Sequence, residues 1–111
     1  MVYYSTNDKS RIVSLREAVV QGLAPDKGLY MPQQIPQLPK GLVSSLKGKP
    51  LKEISMEVAS AFLRDDIAQA ELSRIVEKSI SFEAPLTEVA QDVFSLELFH
   101  GPTFAFKDFV S

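Results

Sequence analysis

No cysteine occurs among the 111 residues, which excludes disulfide frameworks and thiolate metal sites. Histidine occurs once, and zinc or iron centres usually recruit several imidazoles or thiolates, so no metal site is expected. No apolar run approaches the roughly 20 residues that span a bilayer, and the opening stretch lacks the apolar core of a signal peptide. The expected compartment is the cytoplasm, with no membrane partner. Charge of one sign is also missing: 12 basic and 14 acidic residues give a formal net charge of −2. They are mixed along the chain without a basic stripe, so no nucleic-acid partner is expected. Internal repeats and low-complexity tracts are absent.

What remains is ordinary globular material, 45% hydrophobic and 23% charged, of the length of one modest domain. Its core is smaller than that of an enzyme needing two lobes.

The opening MVYYSTND puts β-branched and aromatic residues before turn formers, predicting a short strand. Ser14-Leu-Arg-Glu17 has the form of a capping box, in which Ser14 and Glu17 reciprocally satisfy two orphan backbone donors. The helix it opens carries Leu15, Ala18 and Val19 on one face, and Gly22 suits its end. Pro25-Asp-Lys-Gly28 reads as a turn in which Pro25 presets φ and Gly28 tolerates a positive φ. Leu29, Tyr30 and Met31 fit a strand closed by Pro32. Pro32, Pro36, Pro39 and Pro50, with Gly41 and Gly48, mark an extended strap holding one short helix near Leu42 to Leu46. Pro36-Gln-Leu-Pro39 has the spacing of a Pro-x-x-Pro ligand, although a strap stiffened by its rings is the simpler reading.

Two helices follow. Ile54, Val58, Ala61 and Phe62 recur at helical spacing after Pro50, as do Leu72, Ile75 and Val76 in the next segment. Asp65 and Asp66 between them suit a helix cap better than acid–base catalysis. After Pro85, Leu86 to Ala90 is strand-like, and in VFSLELFH the alternation of Phe94, Leu96 and Leu98 against Ser95 and Glu97 predicts a half-buried strand.

The chemistry concentrates beyond that strand. His100-Gly-Pro-Thr103 breaks the alternation, and Phe104-Ala-Phe-Lys-Asp-Phe109 has helical character, with Thr103 as the expected N-cap. Lys107 stands in the first turn beside Phe104 and Phe106, an unfavourable place for an ammonium ion. A free lysine titrates near ~10.4, so an amine that attacks an aldehyde needs surroundings that disfavour its charge. Aromatic desolvation, a helix's positive end and the carboxyl end of a strand together suit a Schiff-base lysine. The competing reading is a stem lying on a ring with its head in water. His100 reads first as a local hydrogen bonder and the phenylalanines as core.

LELFHGPTFAFKDF closely resembles the pyridoxal-phosphate attachment segment of threonine synthases, with Lys107 in the attachment position. YYSTND, LREAVVQGLAPDKGLYMP, the proline strap, both helices and FEAPL extend the resemblance over essentially the whole chain. It implies an α/β protein of the tryptophan-synthase-β type, with residues 1–84 as a small α+β N-terminal domain and residues 85–111 as the truncated start of the cofactor domain. The implied cofactor is pyridoxal 5′-phosphate and the implied substrate O-phosphohomoserine, converted with water to threonine and phosphate by a carbon–oxygen lyase. The family motif continues Lys-Asp-Phe-Gly, whereas Val110-Ser111 closes this sequence. The resemblance therefore implies an N-terminal piece of a longer enzyme, holding the lysine but no phosphate cradle, inactive alone and self-associating through open strand edges. A threonine-synthase-like phospho-lyase and a non-catalytic interaction module are the alternatives.

Overall fold

The computed structural model describes residues 1–110; Ser111, the last residue of the expected cofactor-domain segment, lies outside them. Two sheets and five helices alternate along the described residues.

β1 (Val2–Ser5) is the central strand of an antiparallel sheet ordered β2-β1-β3. β2 (Ile12–Ser14) pairs Val2 with Ser14 and Tyr4 with Ile12, and β3 (Tyr30–Pro32) pairs Tyr3 with Pro32 and Ser5 with Tyr30. Pro32 is tolerated because β3 is an edge strand. β2 has no counterpart in the sequence reading, since its three residues run straight into the helix cap.

The capping box is present. Ser14 Oγ accepts the Glu17 N–H at 3.2 Å and Glu17 Oε2 accepts the Ser14 N–H at 3.3 Å, opening α1 (Leu15–Gln21). Gly22 ends the helix at φ 70°. Ala18 faces inward, but Val19 is 71% exposed and stands outside the expected apolar face.

The turn after α1 needs its glycine for another reason than the one expected. Lys27, not Gly28, takes the positive φ, at 66°. A Cβ on Gly28 would lie 2.1 Å from Ser5 Oγ, 2.9 Å from the Asn7 nitrogen and 3.0 Å from Asp26 Oδ1. Space for a polar knot sets the residue. Ser5, fully buried, donates from Oγ to Asp26 Oδ1 at 2.7 Å, and the Gly28 N–H donates to the same oxygen at 2.9 Å. These two bonds, the Ser5 hydroxyl foremost, lower the Asp26 carboxyl below its ordinary range.

The strap passes α2 (Leu42–Ser45) and leads into α3 (Leu51–Leu63), which packs on α4 (Gln69–Ser79). Leu72 and Val76 of α4 are buried as the periodicity requires, whereas Ile75 is 40% exposed. Asp66 caps neither helix: it accepts the Met1 ammonium at 2.7 Å and so ties β1 to the helical layer. α4 is N-capped at Ala68 with no side-chain bond.

β4 (Leu86–Ala90) and β5 (Val93–Leu96) form a separate antiparallel hairpin with a bulge between Glu88 and Ala90. Asp92 turns the chain at φ 59°. Every residue of both strands is exposed, correcting the expected half-buried strand, and β5 ends before Leu98. The radius of gyration of 16.6 Å exceeds the roughly 13 Å of a compact domain this size, as an outlying hairpin demands.

Candidate functional site

Lys107 opens α5 (Lys107–Val110), the short helix that follows the hairpin, and it is exposed. The order is strand, loop, helix, as the sequence implies. Thr103 does not cap by its hydroxyl in the expected way: the helix starts four residues later, and the Thr103 backbone N–H donates to Asp108 Oδ2 at 2.8 Å.

The loop is a succession of tight turns. Phe104 N–H donates to the Gly101 carbonyl at 3.1 Å, Asp108 N–H to Ala105 at 3.2 Å and Phe109 N–H to Phe106 at 3.0 Å. Phe104 sits at φ 56°, a left-handed conformation that costs a side-chain-bearing residue about 1–2 kcal/mol.

The phenylalanines divide. Phe104 is 80% and Phe106 64% exposed, so neither forms the desolvating wall expected around Lys107 from these residues alone. Phe109 instead meets Phe82 edge-on, ring centroids 5.0 Å apart, and anchors α5 to the segment behind α4. Phe99 stacks on His100 with centroids 4.5 Å apart.

His100 is the local hydrogen bonder expected of it. Its Nε2 donates to Glu97 Oε2 at 2.6 Å, while Thr87 Oγ1 on β4 donates to Glu97 Oε1 at 3.2 Å. The His100 bond is the main cause that lowers the Glu97 carboxyl below its usual value, with Thr87 adding to it. The sequence puts Asp108 in the first turn of the helix, where it lies, but does not show its bond to the Thr103 backbone, and it gives no role to Glu97 or Thr87. Only the spacing of Glu97 and His100 hinted at their pairing.

No group of three or more histidine, aspartate and glutamate side chains is placed to hold a metal ion among the described residues. No helix among them is long and apolar enough to cross a membrane. A cleft of about 350 Å³ lies beside Met1, Val2, Gln33 and Asp65, on the small sheet, and Lys107 does not line it.

The family model for the threonine synthase N terminus matches residues 2–80. The chain belongs to that family. Threonine synthase of Schizosaccharomyces pombe is 45% identical over 96% of the chain, and that of Haemophilus influenzae 40% identical over 98%. The crystal structure of threonine synthase from Escherichia coli superposes with a TM-score of 0.88 at 38% identity, covering 98% of the chain and 26% of its own length. A structure of pyridoxal-phosphate-bound threonine synthase from Brucella melitensis gives 0.84 at 37% identity, with 97% and 24% coverage. The chain spans about a quarter of the length of the curated relatives it matches, 22% and 25% of the first two. At 98% coverage only about two residues stay unmatched, so the likeness to the Haemophilus influenzae and Escherichia coli threonine synthases runs well past residue 80.

Proposed function

We propose that residues 1–84 serve as the small leading domain, and residues 85–111 as the opening of the cofactor domain, of a cytoplasmic pyridoxal-phosphate-dependent threonine synthase. The reaction is the conversion of O-phosphohomoserine and water into threonine and phosphate, with Lys107 as the attachment residue. The supporting observation is the likeness to the Escherichia coli enzyme, at 38% identity and a TM-score of 0.88 over 98% of the chain.

The residues present fit one end of the cofactor. Lys107 brings an exposed primary amine to the first turn of a helix behind a strand. The N–H groups of Thr103, Phe104, Asp108 and Phe109 are engaged inside the loop and are not open to a phosphate. Pyridoxal phosphate, when bound, supplies an aldehyde and an electron-accepting ring. Lys107 would hold it through Nζ, and the same amine, once released and neutral, would move protons at the α and β carbons of the substrate.

Chains of these 111 residues alone pair through the hairpin, because both strands are exposed and unpaired outward edges recruit other strands. The functional test is a graft. This chain replaces the matching quarter of the Escherichia coli enzyme, and threonine and phosphate formation from O-phosphohomoserine is assayed. Activity that Lys107→Ala abolishes is expected; a folded graft equally active with alanine at that position refutes the assignment.

A further inference from the structure

The loop before Lys107 is tied to the helix by the residue after it. Asp108 Oδ2 reaches back five positions to accept the Thr103 N–H at 2.8 Å. Gly101 lies directly against that side chain: a Cβ on it would stand 2.5 Å from Asp108 Cβ and Oδ2 and 2.8 Å from Cγ. Gly101 is buried and has no positive φ, so space for Asp108, not backbone freedom, requires glycine there. The Gly101 carbonyl in turn accepts from Phe104, whose left-handed φ of 56° persists only in a loop held from outside. Phe109 completes the frame by packing on Phe82.

We propose that Asp108 is a positioning residue for Lys107: its carboxylate, seated on Gly101 and bonded to the Thr103 amide, fixes the loop and thereby the direction from which the amine enters the site. The inference rests on the functional reading above and adds a role to a residue which that reading leaves unused. It acts by shape and acceptance of one N–H, so the charge is dispensable. Asparagine offers an oxygen at the same place; alanine offers none; glutamate is one carbon too long.

Two measurements separate this inference from the reading beneath it. In this chain, with no cofactor present, the Thr103 amide is followed by NMR and hydrogen exchange. Asp108→Asn is expected to keep its protection, while Asp108→Ala and Gly101→Ala both lose it. In the graft described above, pyridoxal phosphate is added and the rate of its attachment to Lys107 is read by absorbance and by borohydride reduction with peptide mapping. Asp108→Ala and Gly101→Ala are expected to slow attachment about tenfold or more, the scale on which a misplaced reacting group is felt, and Asp108→Asn to restore it. If Asp108→Asn is as slow as Asp108→Ala, charge and not position is at work and the inference is wrong. Unchanged Thr103 protection in Asp108→Ala also overturns it, even where the graft does not fold. Attachment to another lysine in the unsubstituted graft sinks the functional reading itself, and the positioning role with it, whatever Thr103 shows.

Discussion

Gly28→Ala is the sharpest perturbation of the small sheet. The added methyl would sit 2.1 Å from Ser5 Oγ, roughly an ångström closer than non-bonded atoms tolerate. Ser5 is fully buried, so its hydroxyl has nowhere to rotate except away from Asp26 Oδ1, which it now meets at 2.7 Å. Leaving a buried hydroxyl without its partner costs about 1–3 kcal/mol. The second obstacle, the Asn7 nitrogen at 2.9 Å, is backbone, and it can yield only by shifting the turn that joins β1 to β2. Overpacking of that kind adds about 1–3 kcal/mol. The expected loss is about 2–6 kcal/mol against a total stability of about 5–15 kcal/mol, read as a lower urea midpoint at unchanged slope. In a Ser5→Ala background the nearest clash is gone, so Gly28→Ala should cost clearly less there. Gly22→Ala isolates the backbone effect: nothing lies within 4 Å of its Cβ, and only its conformation at φ 70° and ψ −56° resists, for about 1–3 kcal/mol. Loss below about 0.5 kcal/mol for Gly28→Ala, or an equal loss in both backgrounds, would refute the steric argument.

Three further outcomes follow from the same structure. Leu72→Ala, at the one fully buried large apolar side chain among the described residues, should destabilise by about 2–5 kcal/mol in the same urea titration. Because the folded Asp26 carboxyl titrates below the unfolded value near 3.9, its stabilisation is complete above that pH and is lost as the pH falls through the folded value. Ser5→Ala should therefore flatten the acid limb of the stability curve below about pH 4 while leaving its slope near neutrality unchanged. Light scattering should show this chain associating in a concentration-dependent way, and Val89→Lys with Phe94→Lys on the exposed hairpin should return it to monomer; a monomeric unsubstituted chain contradicts the open-edge argument.

Local chemistry was legible in the sequence, and long-range chemistry was not. The capping box of Ser14 and Glu17 closes within four residues, so its residue types suffice to see it. Gly28 looked like a turn glycine because nothing nearby in sequence shows that Ser5, on another strand, fills the space above it. Asp66 looked like a cap because its partner, the Met1 ammonium, lies 65 residues away. The strands after Pro85 were visible as patterns, though not their pairing as a hairpin, and alternation promises burial only where a partner layer exists; here both faces are exposed. At the site, the strand–loop–helix order around Lys107 followed from Gly101, Pro102 and the aromatic run. The tie from Asp108 to the Thr103 backbone leaves no signature in residue types, because Lys-Asp is a commonplace pair.

The account depends most on Lys107. The direct measurement loads the grafted enzyme with pyridoxal phosphate, reduces it with borohydride, and locates the label by peptide mapping. The account predicts stoichiometric label on Lys107; label settled on any other lysine, with Lys107 unmodified, contradicts it.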